Sequence, residues 1–224
     1  ILDAIDFSCF MANETRYMAY IADELGMPGE VKFWSEWHEK IKDAINTYLW
    51  DENDGFYYDL DLKTGELKKV QTFASFLPLF AGVCDSRQAS LLVAALNDES
   101  RFNTPFGIPS IAANHDTYGT DMWRGPVWIN FNYMIAEGLR EYGYDAIADN
   151  IIDKTIRTVS FWYEHDGVIY EFYDSQNRIS PQKLSRKGPP VIPYNIRIRT
   201  QCIRDYGWSC TLVADMIHKI YGNN

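Results

Sequence analysis

The stretch TDMWRGPVWINFNYMIAEGLREYGY, residues 120–144, crowds two tryptophans and an arginine into the first turn of an amphipathic helix. Pro126 is a favoured first helical residue, because its fixed φ suits the helix and it has no N–H to leave unpaired. The helix is therefore predicted to begin at Pro126. Its apolar residues recur at spacings of three and four, at Val127, Phe131, Met134, Ile135 and Leu139. One flank of this helix is expected to pack, and its N-terminal end to meet a ligand.

Trp123 and Trp128 allow two interpretations. A single tryptophan is more often a core aromatic residue than part of a site. Two tryptophans beside Arg124 at a helix start form the kind of cluster that often builds a carbohydrate site. A sugar presents apolar C–H faces and a ring of hydroxyls, which suits aromatic stacking combined with a few donors.

The composition predicts one globular domain over residues 1–224, since 46% of the chain is hydrophobic and 15% aromatic. The net charge of −10 argues against nucleic acid and anionic membranes as partners. One stretch is locally basic, and we expect it to form a solvated loop. Its basic residues are Arg178, Lys183, Arg186, Lys187, Arg197 and Arg199.

No apolar stretch approaches the ~18 residues that a membrane span needs, so a soluble chain is predicted. The start, ILDAIDF, has neither an initiator Met nor a signal-like segment, which suggests a fragment or processed chain. The compartment stays open, with the cytoplasm slightly favoured. No metal or cofactor site is predicted, because the four cysteines lack ligand spacing and no phosphate-binding glycine motif occurs. Buried thiols are expected instead.

The remaining pattern predicts about seven helices, with no strand outside two hairpins. Gly26 should end the first helix, and Asp3 or Asp6 should cap its start. The hairpins are expected at 50–69 and 165–178. The helices are expected at 3–26, 31–49, 72–82, 86–97, from 126, at 144–162 and at 206–221.

Two strings repeat each other: NDGFYYDLD at 53–61 and HDGVIYEFYD at 165–174. Their glycines, Gly55 and Gly167, are 112 residues apart (167 − 55), and the same offset pairs Tyr58 with Tyr170. An internal repeat favours repeated helical pairs. The expected fold is all-α, an α/α toroid with short β-hairpins in the rim loops, where a site would lie.

Glu171 is the leading catalytic candidate, because aromatic neighbours can limit water access and poise a carboxylate as a base. The alternative is a surface hairpin glutamate whose neighbours point inward by strand alternation. Two other groups of polar residues are expected to be structural and not catalytic. His115 with Asp116 lacks a Ser or Cys nucleophile motif and is expected to make a loop hydrogen bond. The acidic residues of 59–66 lack the turn and distal acid of a calcium loop and are expected in a hairpin.

With these motifs placed, the chain resembles the C-terminal portion of the (α/α)6 barrel of glycoside hydrolase family 63, a relative of the trehalases. The specific matches are WRGPVWIN and EFYD, and the likeness extends from AIDFSCFMANETRYMAYIADELGM to DYGWSCTL. The family implies inverting hydrolysis of α-glycosides by a carboxylic acid and a carboxylate base. By this resemblance Glu171 matches the general base.

The resemblance also implies a sugar subsite. Trp123 and Trp128 would form its walls, and Arg124 and Gly125, beside the helix terminus, would offer donors to hydroxyls. Trp208 would enter the same end of the barrel, with a plain core tryptophan as the alternative. The implied substrate is an oligosaccharide or small α-glycoside, with glucosides ahead of mannosylglycerate-type compounds.

The chain departs from the family in one respect. The family's general acid is an Asp in a short loop before the helix with which this chain begins, and Asp3 and Asp6 are better N-caps than acids. Roughly seven of twelve barrel helices are expected here, so the missing N-terminal part is the expected partner, and this chain alone should be inactive. A non-catalytic carbohydrate- or protein-binding module and a glycoside phosphorylase remain alternatives.

Overall fold

The structure is a computed structural model that describes residues 1–186, 197 and 201–222. The chain divides into two compact units, Ile1–Val93 and Ala94–Asn224. Whether they form one domain, as the composition predicts, stays a prediction. Within the described ranges, no helix is both long and apolar enough to cross a membrane. Lys187 and Arg199 of the basic stretch lie outside the described residues.

The first unit is built on a helical pair, α1 (Ile5–Glu24) and α2 (Pro28–Tyr48), which pack together. Gly26 adopts a positive φ of 67° just after α1, so the predicted end of this helix is confirmed. The predicted caps are wrong. Ala4 is the N-cap, Asp6 lies in the first turn, and Asp3 belongs to a short strand, β1 (Leu2–Asp3).

Two hairpins follow α2, where one was predicted. Strands β2 (Trp50–Asp51) and β3 (Phe56–Tyr57) form the first, and β4 (Asp59–Asp61) and β5 (Glu66–Lys68) form the second. Strand β1 pairs with β4, so the expectation of no strand outside the hairpins is wrong. The remaining helical elements of this stretch are a 3-10 turn (Phe73–Phe76), α3 (Leu77–Phe80) and α4 (Ser86–Leu96).

The second unit packs three helices together: α5 (Ile129–Glu141), α6 (Asp145–Asp166) and α7 (Gly207–Tyr221). Phe131, Ile135 and Leu139 of α5 are buried, which confirms its predicted apolar flank. Helix α6 runs further than predicted and is terminated by Gly167, whose φ of 67° is left-handed.

The predicted hairpin at 165–178 does not form. Its residues instead join isolated β-bridges to distant segments of the second unit, which we call the bridge network. Tyr173 pairs with Val127, and Tyr170 pairs with Arg204. Two further bridges of the network meet at Ser185, which pairs with Asp121 and with Gln201. Because these pairings satisfy the backbone of 170–173 from outside, local strand alternation does not decide which side chains are buried.

Candidate functional site

Helix α5 begins at Ile129, three residues later than predicted. The Val127 N–H donates to the Tyr173 carbonyl over 2.7 Å, and the Tyr173 N–H donates back over 3.1 Å. Val127 is therefore committed to an extended pairing, and Trp128 is the extended N-cap. Trp123 and Arg124 consequently lie in the preceding loop, and their expected place in the first helical turn is wrong.

The two tryptophans lie against each other. Their ring centroids are 4.0 Å apart and their planes differ by 7°. Trp128 is only 2% exposed, donates its indole N–H to the Met122 carbonyl over 2.8 Å, and packs on Phe172. Trp123 is 45% exposed and lies over it. The pair is therefore a stacking platform in which Trp123 supplies the accessible indole and Trp128 supports it.

Arg124 and Gly125 have different local functions. Arg124 is exposed, and its guanidinium forms a two-pronged contact with Asp121, in which Nε lies 2.8 Å from Oδ1. Gly125 is buried, and its N–H donates to the Ser110 hydroxyl. Gly125 has a φ of 126°, and a Cβ there would lie 2.0 Å from the Gly119 carbonyl oxygen. Only glycine fits this turn, so Gly125 shapes the loop that carries Trp123 and Arg124.

Glu171 is buried in the bridge network. Only 1% of its surface is exposed, and its N–H donates to the Ile203 carbonyl over 2.9 Å. The carboxylate contacts Arg186, whose Nε lies 3.1 Å from Oε2 and 3.2 Å from Oε1. The Ile203 N–H adds a long contact of 3.4 Å to Oε2. The alternative of a surface hairpin glutamate is therefore wrong. Arg186, expected in a solvated loop, is only 22% exposed and is paired with Glu171.

Burial raises the pKa of Glu171, and the charge of Arg186 together with the Ile203 N–H opposes that rise. Burial also raises the pKa of the neighbouring Cys202 thiol and of the Tyr206 phenol, so both groups stay neutral at neutral pH. A carboxylate whose basicity is increased by an apolar site is suited to accept a proton from water.

Trp208 lies in the first turn of α7 and is 52% exposed, so the alternative of a plain core tryptophan is wrong. The same turn touches the Glu171 segment. The Ser209 hydroxyl donates to the Glu171 carbonyl over 3.4 Å, and the Tyr206 N–H donates to the Ile169 carbonyl over 3.1 Å. The structure thus brings the start of α7, the Glu171 segment and the tryptophan platform into one region of the second unit.

The other polar residues considered in the sequence analysis lie in loops, in a hairpin or in the core. His115 accepts a hydrogen bond from the Thr117 N–H over 3.1 Å, which confirms the predicted loop contact. Asp59, Asp61 and Glu66 lie in the β4–β5 hairpin, as predicted. Cys9, Cys84 and Cys202 are buried, as expected, and Cys210 is partly exposed. Across the described ranges, no cluster of His, Cys, Asp or Glu has the arrangement of a metal site.

Arg186 is the residue of the candidate site that sequence reasoning missed. Its neighbours in the sequence are polar and basic, which is typical of a solvated loop. The contact with Glu171 depends on the bridges that Ser185 makes, and these join segments far apart in the sequence. No local signal predicts such pairings.

Comparison with known proteins decides the family. The family described as the mannosylglycerate hydrolase MGH1-like glycoside hydrolase domain matches residues 3–183. The chain belongs to this family. The family 63 resemblance predicted from WRGPVWIN and EFYD is thereby confirmed.

A mannosylglycerate hydrolase from Thermus thermophilus is 43% identical over 130 residues, which cover 56% of this chain and 29% of that protein. The crystal structure of a GH63 mannosylglycerate hydrolase from Thermus thermophilus with Tris and D-glycerate is 32% identical, with a TM-score of 0.69. The match covers 78% of this chain and 40% of that one. Another structure of the crystallised enzyme holds glucose.

A neutral trehalase from Saccharomyces cerevisiae matches with a TM-score of 0.67 over 78% of this chain and 34% of that one. Because the two sequences are only 19% identical, this similarity supports the fold and not the function. Together with the packed helical pairs, these neighbours confirm the predicted all-α, α/α-toroid fold class. The chain spans well under half the length of each relative named here.

Proposed function

We propose that this chain contributes the general base and part of the sugar subsite to an inverting glycoside hydrolase that cleaves an α-glycosidic bond. The observation that carries the proposal is Glu171, a carboxylate that is 1% exposed and is not used to cap a helix or close a turn. Its neighbour in the chain, Phe172, packs on Trp128 of the tryptophan platform. Membership of a glycoside hydrolase family supports it.

In the proposed reaction, Glu171 accepts a proton from a water molecule as that water attacks the anomeric carbon. The new C–O bond forms on the face opposite the leaving group, and the glycosidic C–O bond breaks. A carboxylic acid donates its proton to the leaving oxygen. By resemblance to the family, this acid is an Asp outside the present chain, so the N-terminal part of the barrel is a required partner.

Mannosylglycerate is the first substrate to test, ahead of the glucosides that the sequence favoured. The reason is that relatives carry the name mannosylglycerate hydrolase and one solved relative holds D-glycerate. The exposed indole of Trp123 suits the apolar face of a sugar ring. Trp208 and Arg124 are the exposed groups proposed to complete the subsite, and Gly125 acts through the shape of its loop. Nucleic acid and membranes are not proposed as partners, given the net charge of −10.

The test is hydrolysis of α-mannosylglycerate and matched α-glucosides by the full-length protein, followed by proton NMR. An inverting enzyme releases the β-anomer first, and mutarotation then brings in the α-anomer. Release of the α-anomer first would exclude inversion. Product formation that requires inorganic phosphate would instead identify a phosphorylase. Sugar binding without any hydrolysis would favour the non-catalytic module.

A further inference from the structure

Arg186 and Glu171 form an ion pair in the bridge network. The Arg186 Nε–H lies almost symmetrically between the two carboxylate oxygens, at 3.1 Å and 3.2 Å. One partner is fully buried and the other mostly so. Such a contact restricts rotation of the carboxylate, because turning it would lengthen one of the two distances.

The other titratable groups around Glu171 do not supply a second positive charge. Cys202 and Tyr206 are neutral groups whose pKa values are raised by burial. Arg204 hydrogen-bonds Tyr170, and Asp205 acts on the Cys210 thiol, whose pKa it helps to raise. Among the described residues, Arg186 is therefore the cation that opposes the effect of burial on Glu171.

The loop of Arg186 is also fixed to the tryptophan platform. Ser185, the preceding residue, bridges Asp121 on one side and Gln201 on the other, and its carbonyl accepts the Met122 N–H over 2.9 Å. The Met122 carbonyl in turn accepts the indole N–H of Trp128. The backbone that positions Arg186 therefore also positions the loop that carries Trp123.

We propose that Arg186 is a positioning residue of this site, which orients the Glu171 carboxylate and keeps it ionised while the base awaits a proton. The inference rests on the proposed function, in which Glu171 is the base. A buried carboxylate tends toward its neutral form, and a protonated base cannot activate water. A guanidinium stays charged throughout the working pH range, so its effect on Glu171 does not itself titrate.

The test measures the ionisation of Glu171 directly in the full-length protein. Glutamate is labelled with carbon-13 at the carboxyl carbon, and the signal of Glu171 is assigned from its loss in Glu171→Gln. We expect Arg186→Gln to raise the pKa of Glu171 by about one unit or more, as for removal of an opposite charge within hydrogen-bonding distance. Arg186→Lys should restore part of the shift, and Arg178→Gln, an exposed arginine of the same unit, should leave it unchanged.

A second readout is the pH profile of kcat/KM. The pH at which kcat/KM falls on the acidic side should rise by a similar amount in Arg186→Gln. It should be unchanged in Arg178→Gln. A Glu171 signal and an acidic limb that are both unmoved in a folded Arg186→Gln would overturn the inference. If Arg186→Gln does not fold, recovery of the fold in the double variant with Glu171→Gln supports the pairing, and failure to recover overturns it.

The two proposals fail in different ways. A full-length protein that hydrolyses no α-glycoside, yet shows the shifted Glu171 signal, refutes the function and keeps the pairing. Hydrolysis that depends on Glu171 but not on Arg186, at any pH, keeps the function and refutes the pairing.

Discussion

Asp59 and Glu171 occupy the same position in the two repeated strings, and the structure uses them differently. Both strings turn at a left-handed glycine, with φ of 61° at Gly55 and 67° at Gly167. In both, a buried tyrosine donates to an aspartate four residues earlier, Tyr58 to Asp54 over 3.1 Å and Tyr170 to Asp166 over 2.8 Å. The two units therefore share the left-handed glycine and the tyrosine–aspartate hydrogen bond, although Gly55 lies in a hairpin turn and Gly167 ends a helix.

The carboxylates differ in what they accept. Asp59 Oδ1 accepts the Ile5 N–H over 2.9 Å and so satisfies a donor in the first turn of α1. Glu171 is one methylene longer, is buried, and contacts Arg186 instead of a helix start. The comparison shows that one turn can serve for stability in one unit and be available for chemistry in the other.

The largest expected difference is in catalysis. Glu171→Gln in the full-length protein should lower kcat by about 100-fold or more, because it removes the proposed general base. Asp59→Asn makes the same change of charge and should leave kcat near the wild-type value. Steady-state rates on the best substrate measure both. A Glu171→Gln variant that keeps more than about a tenth of the wild-type rate would exclude the assigned role.

Glycine substitutions test how similar the two turns are. Gly167→Ala should cost about 1 kcal/mol of unfolding free energy, since the left-handed φ is unfavourable for alanine. Gly55→Ala should cost about 2 kcal/mol, because its Cβ would also lie 3.0 Å from Leu91 Cδ1, whereas Gly167 has no atom within 4 Å. Urea denaturation of the two variants measures the difference. Equal losses would mean that Leu91 yields without strain.

Stability should respond to the two carboxylates in opposite directions. Asp59→Ala should cost about 1 kcal/mol, because the Ile5 N–H loses its acceptor. Glu171→Gln should be neutral or stabilising at pH 7, since burial disfavours the charged form. Thermal unfolding of the two variants gives the comparison, and a marked loss of stability in Glu171→Gln would show that the pair with Arg186 mainly supports the fold.

The pH dependence of that effect has a definite sign. The native pKa of Glu171 is raised above its value in the unfolded chain, so the native state binds more protons between the two values. Wild-type stability should therefore fall as pH rises through this window, relative to Glu171→Gln. Unfolding free energies of both proteins from pH 4 to pH 8 test this, and a wild-type stability that rises relative to that of Glu171→Gln over this range would contradict the assignment.

The smallest difference between the two strings is expected at the tyrosines. Tyr58→Phe and Tyr170→Phe each remove one hydrogen bond to an aspartate, and each should cost about 1 kcal/mol. Similar losses in urea denaturation would support equivalent turns. A much larger loss at Tyr170 would show that its contact with Arg204 contributes as well.

The sequence predicted the elements whose residues interact locally. Helices α1, α2, α6 and α7 follow the apolar periodicity, and Gly26 ends α1 because its positive φ is a local requirement. The start of α5 was wrong for the opposite reason. Pro126 is a good first helical residue, but Val127 is held extended by Tyr173, and no local pattern indicates that partner.

The candidate site also contains parts that the sequence predicts and parts that it does not. Glu171 and the tryptophans were predicted from strings that the family shares, and the structure places them in one region. The burial of Trp128 beneath Trp123 and the ion pair of Arg186 depend on the bridge network, which forms between segments distant in the sequence. Propensity and periodicity carry no information about such pairings.

The reciprocal pairing of Val127 with Tyr173 also bears on which changes in chain length the protein can tolerate. This bridge, and not the length of the chain through α5 and α6, sets the spacing between Glu171 and the tryptophans. Insertions or deletions in the connection after α5 would leave that spacing intact. A single residue added between Glu171 and Tyr173 would present a different side chain at the position of the carboxylate. Length variation among homologues should therefore be concentrated in the connection after α5. It should be absent between Glu171 and Tyr173.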